Sequence, residues 1–273
     1  MSRYKSLKMQ LIKFSTTMIF TLAVLMVNYG ISHGGEMQNL PSPQLVTDAW
    51  MFIAAYKADP EALKGLLPPG LEPNPNGQVV INMYTVPDPN QTSGFGAYTL
   101  TYLTVELKDQ DSYVMGQPTG YPGRYFVYYF NSSPVMRDFT SKVGIPAQAG
   151  QTTTTVENGK LKAVLAVDGK PMIEATADVG DTLGGFGGGH LNYFGLITTE
   201  MDGKKKSQIV KYPIPYNGGS VKTENAKITF KVPEDHPLNK IKPIADPTWA
   251  VWTQSSFVYP QYVVIKEWET ASN

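Results

Sequence analysis

Two turn signals, close together in the middle of the chain, limit the fold more than any other sequence feature. Asn158-Gly159 separates two segments rich in β-branched and apolar residues, Thr152–Glu157 and Lys160–Val167, which is typical of a two-residue β-hairpin. A second turn at Asp168-Gly169-Lys170 leads into another extended segment, Met172–Val179. Three consecutive strands joined by short turns form an antiparallel meander, so this part of the chain is not built from βαβ units.

The rest of the chain continues this pattern, with 25 Gly and 21 Pro scattered among short segments. Helical character is predicted only for part of Thr47–Lys64 and for Pro134–Val143, where Val135, Phe139 and Val143 share one face. We therefore expect a mainly β (α+β) fold, a closed antiparallel β-barrel with a few short helices, as a single domain over residues 37–273. The further extended segments are Gln78–Val86, Tyr98–Leu107, Arg124–Phe130, Ile209–Lys211, Ala226–Val232 and Phe257–Lys266.

Residues 1–36 have the layout of a secretory signal peptide. Basic residues from Arg3 to Lys13 precede an apolar run, Thr17–Val27, and small or polar residues follow it. The run is shorter than the roughly 20 residues that span a bilayer, although an uncleaved membrane anchor is the alternative. We expect a secreted or periplasmic protein, or else a membrane-anchored one with an extracytoplasmic domain. Since the chain has no Cys, neither disulfides nor a lipoprotein anchor is available.

The charge balance argues against several kinds of partner. Whole-chain Lys+Arg and Asp+Glu are 23 each; residues 1–36 hold four basic residues and one acid, which leaves 19 basic and 22 acidic residues. A slightly acidic domain is not expected to bind nucleic acid or, after signal removal, a membrane. The run Gly184–Gly189 lacks the Gly-Lys-Ser/Thr ending of a phosphate loop, so we expect a flexible loop over a barrel mouth. His190 and His236 lack metal-ligand spacing, and no metal or cofactor is predicted.

Five segments in order resemble the acetoacetate decarboxylase family over about residues 45–270. The resemblance implies that family's fold, which fits the barrel predicted above, and it also implies homo-oligomers. No single segment is specific, and the weight of the resemblance lies in their order and spacing. The segments are Tyr56–Pro73, Thr92–Thr99, Tyr128–Pro134, Leu191–Phe194 and His236–Pro243.

The resemblance fails at the residues that the family's chemistry needs. The family forms a Schiff base with the first lysine of Gly-Tyr-Pro-Lys-Lys, whereas this chain has Ala147 and Gln148 at the two lysine positions. Leu100 occupies the position of the family's pocket glutamate and Ala49 that of its arginine. An alanine cannot form an imine, so decarboxylation through a lysine is not expected. Lys142 could replace the lost lysine, but Asp138 one turn earlier favours a surface ion pair instead.

Two hypotheses about function follow. The first is a binding protein, an exported barrel that holds a small, mainly apolar ligand with a keto, enol or carboxylate end. The second is a lyase or isomerase that acts on keto acids with a relocated catalytic group. If these residues have no role in a site, Glu106 is an exposed carboxylate at a sheet edge and the aromatic residues belong to the core. His190 is expected near the entrance of the pocket, whose candidate residues are Tyr98, Leu100, Tyr102, Glu106, Ala147, Gln148, His190 and Asn192.

Overall fold

The computed structural model describes residues 42–271, so the predicted signal peptide or anchor at residues 1–36 lies outside the described part. The described chain is mainly β, with two short α-helices, α1 (Pro60–Leu66) and α2 (Pro134–Lys142). None of its helices is both long and apolar enough to span a membrane. The strands are β1 (Gln44–Lys57), β2 (Gln78–Val86), β3 (Tyr98–Glu106), β4 (Tyr113–Val114), β5 (Arg124–Asn131), β6 (Ala147–Ala149), β7 (Gln151–Glu157), β8 (Lys160–Val167), β9 (Lys170–Met201), β10 (Lys204–Phe230), β11 (Trp249–Tyr259) and β12 (Val263–Ala271).

All twelve strands belong to one sheet, whose main path runs β12-β10-β11-β1-β2-β3-β5-β9-β8-β7. Since β9 also pairs with β10, the hydrogen-bonded neighbours form a ring that passes through β10, β11, β1, β2, β3, β5 and β9. The pairing is antiparallel except where β5 runs parallel to β6 and, over two residues, to β9. The expected meander is present as β7, β8 and β9, with both residues of the Asn158-Gly159 turn at positive φ, as such a turn requires.

The long hairpin of β9 and β10 replaces four features that the sequence predicts as separate: Met172–Val179, the Gly184–Gly189 loop, Ile209–Lys211 and Ala226–Val232. The turn at Asp202-Gly203 joins the two strands, and pairing continues to Ile173 and Phe230. The Gly184–Gly189 run lies inside β9 and is not a loop, because most of its residues pair with β10. Gly189 is required sterically, since a Cβ there would overlap the carbonyl oxygen of Tyr113 in β4.

The first predicted helix is wrong over most of its length. Residues 44–57 form β1, which lies between β2 and β11, and only the turn that begins at Pro60 is helical. The Asp59 side chain accepts a hydrogen bond from the Ala62 N–H and caps α1. The prediction for α2 is confirmed, and Ser133 caps that helix by accepting from the Met136 N–H.

The sheet buries apolar side chains on both of its faces. In β3, Tyr98, Leu100 and Tyr102 belong to one buried cluster, whereas Leu103 and Val105 belong to another. We call the first set the inner cluster; it is dominated by aromatic residues from β2, β3, β5, β9, β10 and β11 together with α2. The second cluster packs the other face against β8 and the first part of β9. Because successive side chains of a strand alternate between faces, one strand can supply both clusters.

Candidate functional site

A cavity of about 710 Å³ lies against one end of the inner cluster. Its wall is built from eight strands, β1, β2, β3, β4, β5, β9, β10 and β11, from the loop between β4 and β5, and from the turn before β2. A cavity of this size is typical of sites for small organic ligands. A second, smaller cleft of about 380 Å³ lies on the surface beside α2, lined by Asp138, Lys142 and Tyr262 among others. We take the larger cavity as the candidate site because several buried polar groups converge on it.

A buried ion pair forms part of the cavity wall. Glu106 ends β3 and Arg124 begins β5, and the register of these strands places the two residues opposite each other. Arg124 Nη2 lies 3.8 Å from Glu106 Oε1, and both side chains are at most 5% exposed. The other carboxylate oxygen of Glu106 accepts a hydrogen bond of 2.6 Å from Asn76 Nδ2. At 3.8 Å the pair is longer than a charge-assisted hydrogen bond, so Glu106 does not fill the hydrogen-bonding capacity of the Arg124 guanidinium.

Arg124 stays charged in spite of its burial. Desolvation alone would lower the pKa of Arg124, but the neighbouring Tyr193 and Glu106 outweigh it and the pKa is raised. The guanidinium carbon also lies 5.9 Å from the centre of the Trp249 ring, a cation–π distance. A fixed positive charge is therefore available at the cavity wall at every physiological pH.

Two buried donors at the cavity wall have no partner. Within the described residues, Arg124 Nε and Asn82 Nδ2 make no hydrogen bond, although both atoms are buried and both residues line the cavity. An unsatisfied buried donor typically costs about 1–3 kcal/mol, so such groups often mark a place where a ligand supplies the missing acceptor. These donors suit a group rich in acceptor oxygens, such as a carboxylate or a keto group.

Most of the remaining lining is apolar. Phe126, Leu191 and Ile214 contribute side chains to the wall, as do Met51 and Val251. At the mouth, large apolar side chains are exposed to solvent: Met115 and Tyr121 from the loop between β4 and β5, and Phe186 from β9. The cavity thus combines a small polar region with a large apolar one, the usual composition of a site for an organic ligand.

Tyrosine hydroxyls form hydrogen bonds in and below the cavity. Tyr102 and Tyr193, which both line it, have hydroxyl oxygens 3.1 Å apart. Tyr259 also lines the cavity, and its hydroxyl lies 3.2 Å from that of Tyr129 in the inner cluster. Burial raises the pKa of Tyr259 to about 12 and raises that of Tyr102 well above its ordinary value, so these two hydroxyls are neutral and can donate or accept a hydrogen bond.

The structure brings only two of the sequence-predicted pocket residues to the cavity, Tyr102 and Glu106. Glu106 is 3% exposed, which excludes its interpretation as an exposed edge carboxylate. Tyr98 and Leu100 are buried in the inner cluster, as is Ala49 at the family's arginine position. Aromatic packing around them leaves these side chains outside the cavity lining.

The two lysine positions of the family also lie outside the cavity lining. Ala147 begins β6 opposite Tyr129, where it packs half-buried on the inner cluster, and Gln148 is exposed. Among the described residues that line the cavity there is no lysine. Lys142 forms the expected ion pair with Asp138 at 2.8 Å on the surface of α2.

His190 and Asn192 hold the loop before β5 against β9. The ring of His190 lies 5.6 Å from that of Tyr113, its pairing partner in β4. Asn192 donates from Nδ2 to the carbonyl of Asp111 and from its backbone N–H to the hydroxyl of Ser112. Neither residue lines the cavity, but both position the loop that carries Met115 and Tyr121 to its mouth.

Sequence reasoning missed Arg124, Asn82 and Trp249. A usable signal existed for Arg124, because a single arginine opens a strand that is otherwise aromatic and apolar. A charged residue in such a strand is either at an exposed end or buried with a partner, and Glu106 at the end of β3 is the partner found. Asn82 likewise stands alone among apolar residues in the interior of β2, since the strand's other amide, Gln78, is its first residue.

Comparison with solved structures finds the same fold at low sequence identity. Acetoacetate decarboxylase from Legionella pneumophila is 17% identical with a TM-score of 0.69, covering 88% of this chain and 94% of that chain. The enduracididine biosynthesis enzyme MppR in complex with pyruvate is 16% identical with a TM-score of 0.62, covering 87% and 96%. An acetoacetate decarboxylase-like enzyme from Sphingomonas wittichii is 12% identical with a TM-score of 0.63, covering 87% and 98%.

Comparison with curated proteins returned no match. The model of the acetoacetate decarboxylase family, in contrast, matches residues 29–265, which is most of the sequence. The fold, the order of its segments and this match agree with the resemblance found in the sequence. The chain belongs to the acetoacetate decarboxylase family.

Proposed function

We propose that the protein binds a small, mainly apolar ligand through a carboxylate, keto or enol oxygen. The observation that carries this proposal is the pair of unpartnered buried donors, Arg124 Nε and Asn82 Nδ2, at the wall of one cavity. A ligand oxygen would satisfy them, and the apolar lining would take the rest of the molecule. MppR, a protein of similar fold, has been crystallised with pyruvate, a 2-oxo acid of the kind proposed.

Binding without Schiff-base decarboxylation is the second part of the proposal. Imine formation needs a neutral lysine amine in the site, and no described residue of the cavity lining is a lysine. The family position holds Ala147, half-buried on the inner cluster. These two facts support a binder over a decarboxylase of the family's usual type.

A lyase or isomerase that acts on keto acids is the alternative. Glu106 favours it, because a buried carboxylate at the cavity wall can act as a general base on a carbon acid held by Arg124. The Tyr102 and Tyr193 hydroxyls could then donate to the developing enolate oxygen. This alternative uses the same ligand chemistry but requires turnover.

The test combines identification of the native ligand with binding and turnover measurements. Protein purified without denaturation is examined by native mass spectrometry for a retained molecule, and calorimetry then measures binding of pyruvate, acetoacetate and longer oxo and carboxylic acids. We expect binding of at least some acids, no borohydride-trapped adduct, and no release of CO₂. Failure of every acid to bind would refute the proposal, and turnover of a bound acid would establish the enzyme instead.

Export and the shape of the sheet complete the proposal. The basic and apolar layout of residues 1–36 supports removal of a signal peptide, with a secreted or periplasmic mature protein. N-terminal sequencing of the exported protein should find a start between about residues 32 and 38, whereas intact Met1 in a membrane fraction would favour the anchor.

The ring of strand pairings supports a barrel around the cavity. Homo-oligomers remain a prediction that light scattering can test.

A further inference from the structure

The cavity wall combines deeply buried polar groups with large apolar groups that are exposed to solvent. Arg124 and Asn82 are 4% and 1% exposed, whereas Phe186 and Met115 are 77% and 63% exposed, although all four residues line the same cavity. This is the reverse of the usual arrangement, in which apolar side chains are buried and polar ones face water. Large apolar side chains grouped at an exposed site are typical of a surface that a partner or ligand covers.

The cavity is also too large for the shortest acids. Pyruvate and acetoacetate have fewer than about eight non-hydrogen atoms, and at the roughly 30 Å³ that a water molecule takes in the liquid they would fill about 200 Å³. The cavity measures about 710 Å³. An acid of this size on Arg124 would leave most of the apolar lining in contact with water.

Among the described residues, little covers Phe186, whose side chain is 77% exposed. Its neighbour Gly187 also lines the cavity, and a Cβ added there would meet no atom within 4 Å. The space beside Gly187 is therefore open, in contrast to that beside Gly189. An apolar chain that extends from Arg124 would pass through this opening.

We propose that the ligand is an amphipathic monocarboxylate with an apolar chain of medium length. Its acid end lies on Arg124 and Asn82, and its chain leaves the cavity between Phe186 and Met115. This inference rests on the proposed function and adds the size of the ligand and the direction in which it binds. Each methylene buried along the chain should tighten binding about fourfold, until the chain reaches the mouth.

A series of saturated acids from butyrate to dodecanoate tests the inference by calorimetry. We expect the dissociation constant to fall at least a hundredfold from butyrate to decanoate and then to level off. The variants Phe186→Ala and Met115→Ala should together weaken decanoate binding about tenfold or more, with a much smaller effect on butyrate binding. Ile244→Ala is the matched control, because Ile244 is also 63% exposed but does not line the cavity.

The outcomes separate this inference from the proposed function. Binding of short acids as tightly as decanoate, or insensitivity of decanoate to the two mouth variants, would overturn the inference and leave the acid-binding proposal standing. If methyl decanoate, which lacks the negative charge, bound as tightly as decanoate, the assignment of the acid end to Arg124 would be wrong. No binding of any acid would overturn both.

Discussion

The stability of the protein should respond differently to the loss of one charge of the buried Arg124–Glu106 pair and to the loss of both. At a separation of 3.8 Å, Coulomb's law with an effective dielectric constant of about 20 gives an attraction of about 4 kcal/mol. We expect Arg124→Met to leave the Glu106 carboxylate buried without its counter-charge and to lower the free energy of unfolding by about 3–5 kcal/mol. The double variant Arg124→Met with Glu106→Gln keeps an acceptor for Asn76 and should lose much less.

The assay is urea unfolding of the wild type, both single variants and the double variant, followed by circular dichroism without ligand. A double-mutant cycle should give a coupling free energy of about 2 kcal/mol or more between the two positions. If the two single effects instead added to within about 0.5 kcal/mol, the residues would be uncoupled. Glu106 would then not be the counter-charge of Arg124, and the inference that the Arg124 guanidinium can still bind a ligand beside Glu106 would be wrong.

Three further outcomes can be measured on the same protein. Ala147→Lys should give no borohydride-trapped adduct with acetoacetate, because position 147 packs on the inner cluster and does not line the cavity; an adduct at residue 147 would show that the family's site is still reachable. Burial raises the pKa of Tyr84, Tyr98 and Tyr129 well above 10, so the contribution of these three groups to stability should be constant below about pH 10 and fall as pH rises toward their folded pKa values; tyrosinate absorbance near pH 10 greater than the exposed tyrosines supply, without loss of structure by circular dichroism, would contradict this. Gly159→Val should cost about 1–2 kcal/mol in urea unfolding, because residue 159 has φ +72°, whereas Gly65→Ala, in an open position of α1, should not destabilise.

Local signals in the sequence predicted the parts of the fold that depend on local geometry. The Asn158-Gly159 turn needs two residues at positive φ, and few sequences other than Asn-Gly supply them. The helix α2 was predicted from one apolar face, and its Ser133 cap lies within the same short segment. The region of β1 failed, because the apolar residues between Val46 and Tyr56 fit both a helical and an extended period and only the neighbours β2 and β11 decide between them.

The candidate site was harder to predict because its residues meet only through long-range pairing. Glu106 faces Arg124 as a consequence of the β3–β5 register, and Asn82 reaches the same cavity from β2. The resemblance to the family indicated Leu100 and Ala147 as pocket residues, but both pack on the inner cluster, which is mainly aromatic. In this chain, which lacks the family's lysine, the positions of the family's motifs do not indicate which residues line the cavity.

The strand neighbours around the ring differ greatly in their separation along the chain, and this has a consequence for the order of folding. The β9–β10 hairpin can form outward from the turn at Asp202-Gly203, because each new pair of residues lies next to a pair that has already formed. The β1–β11 contact joins residues as far apart as 215 positions, the separation between Gln44 and Tyr259. Closing a loop of that length costs about 4 kcal/mol more entropy than closing a two-residue turn. We therefore expect the hairpin to gain hydrogen-exchange protection early in refolding and the β1–β11 seam to gain it last, so that the cavity is completed only in the final step.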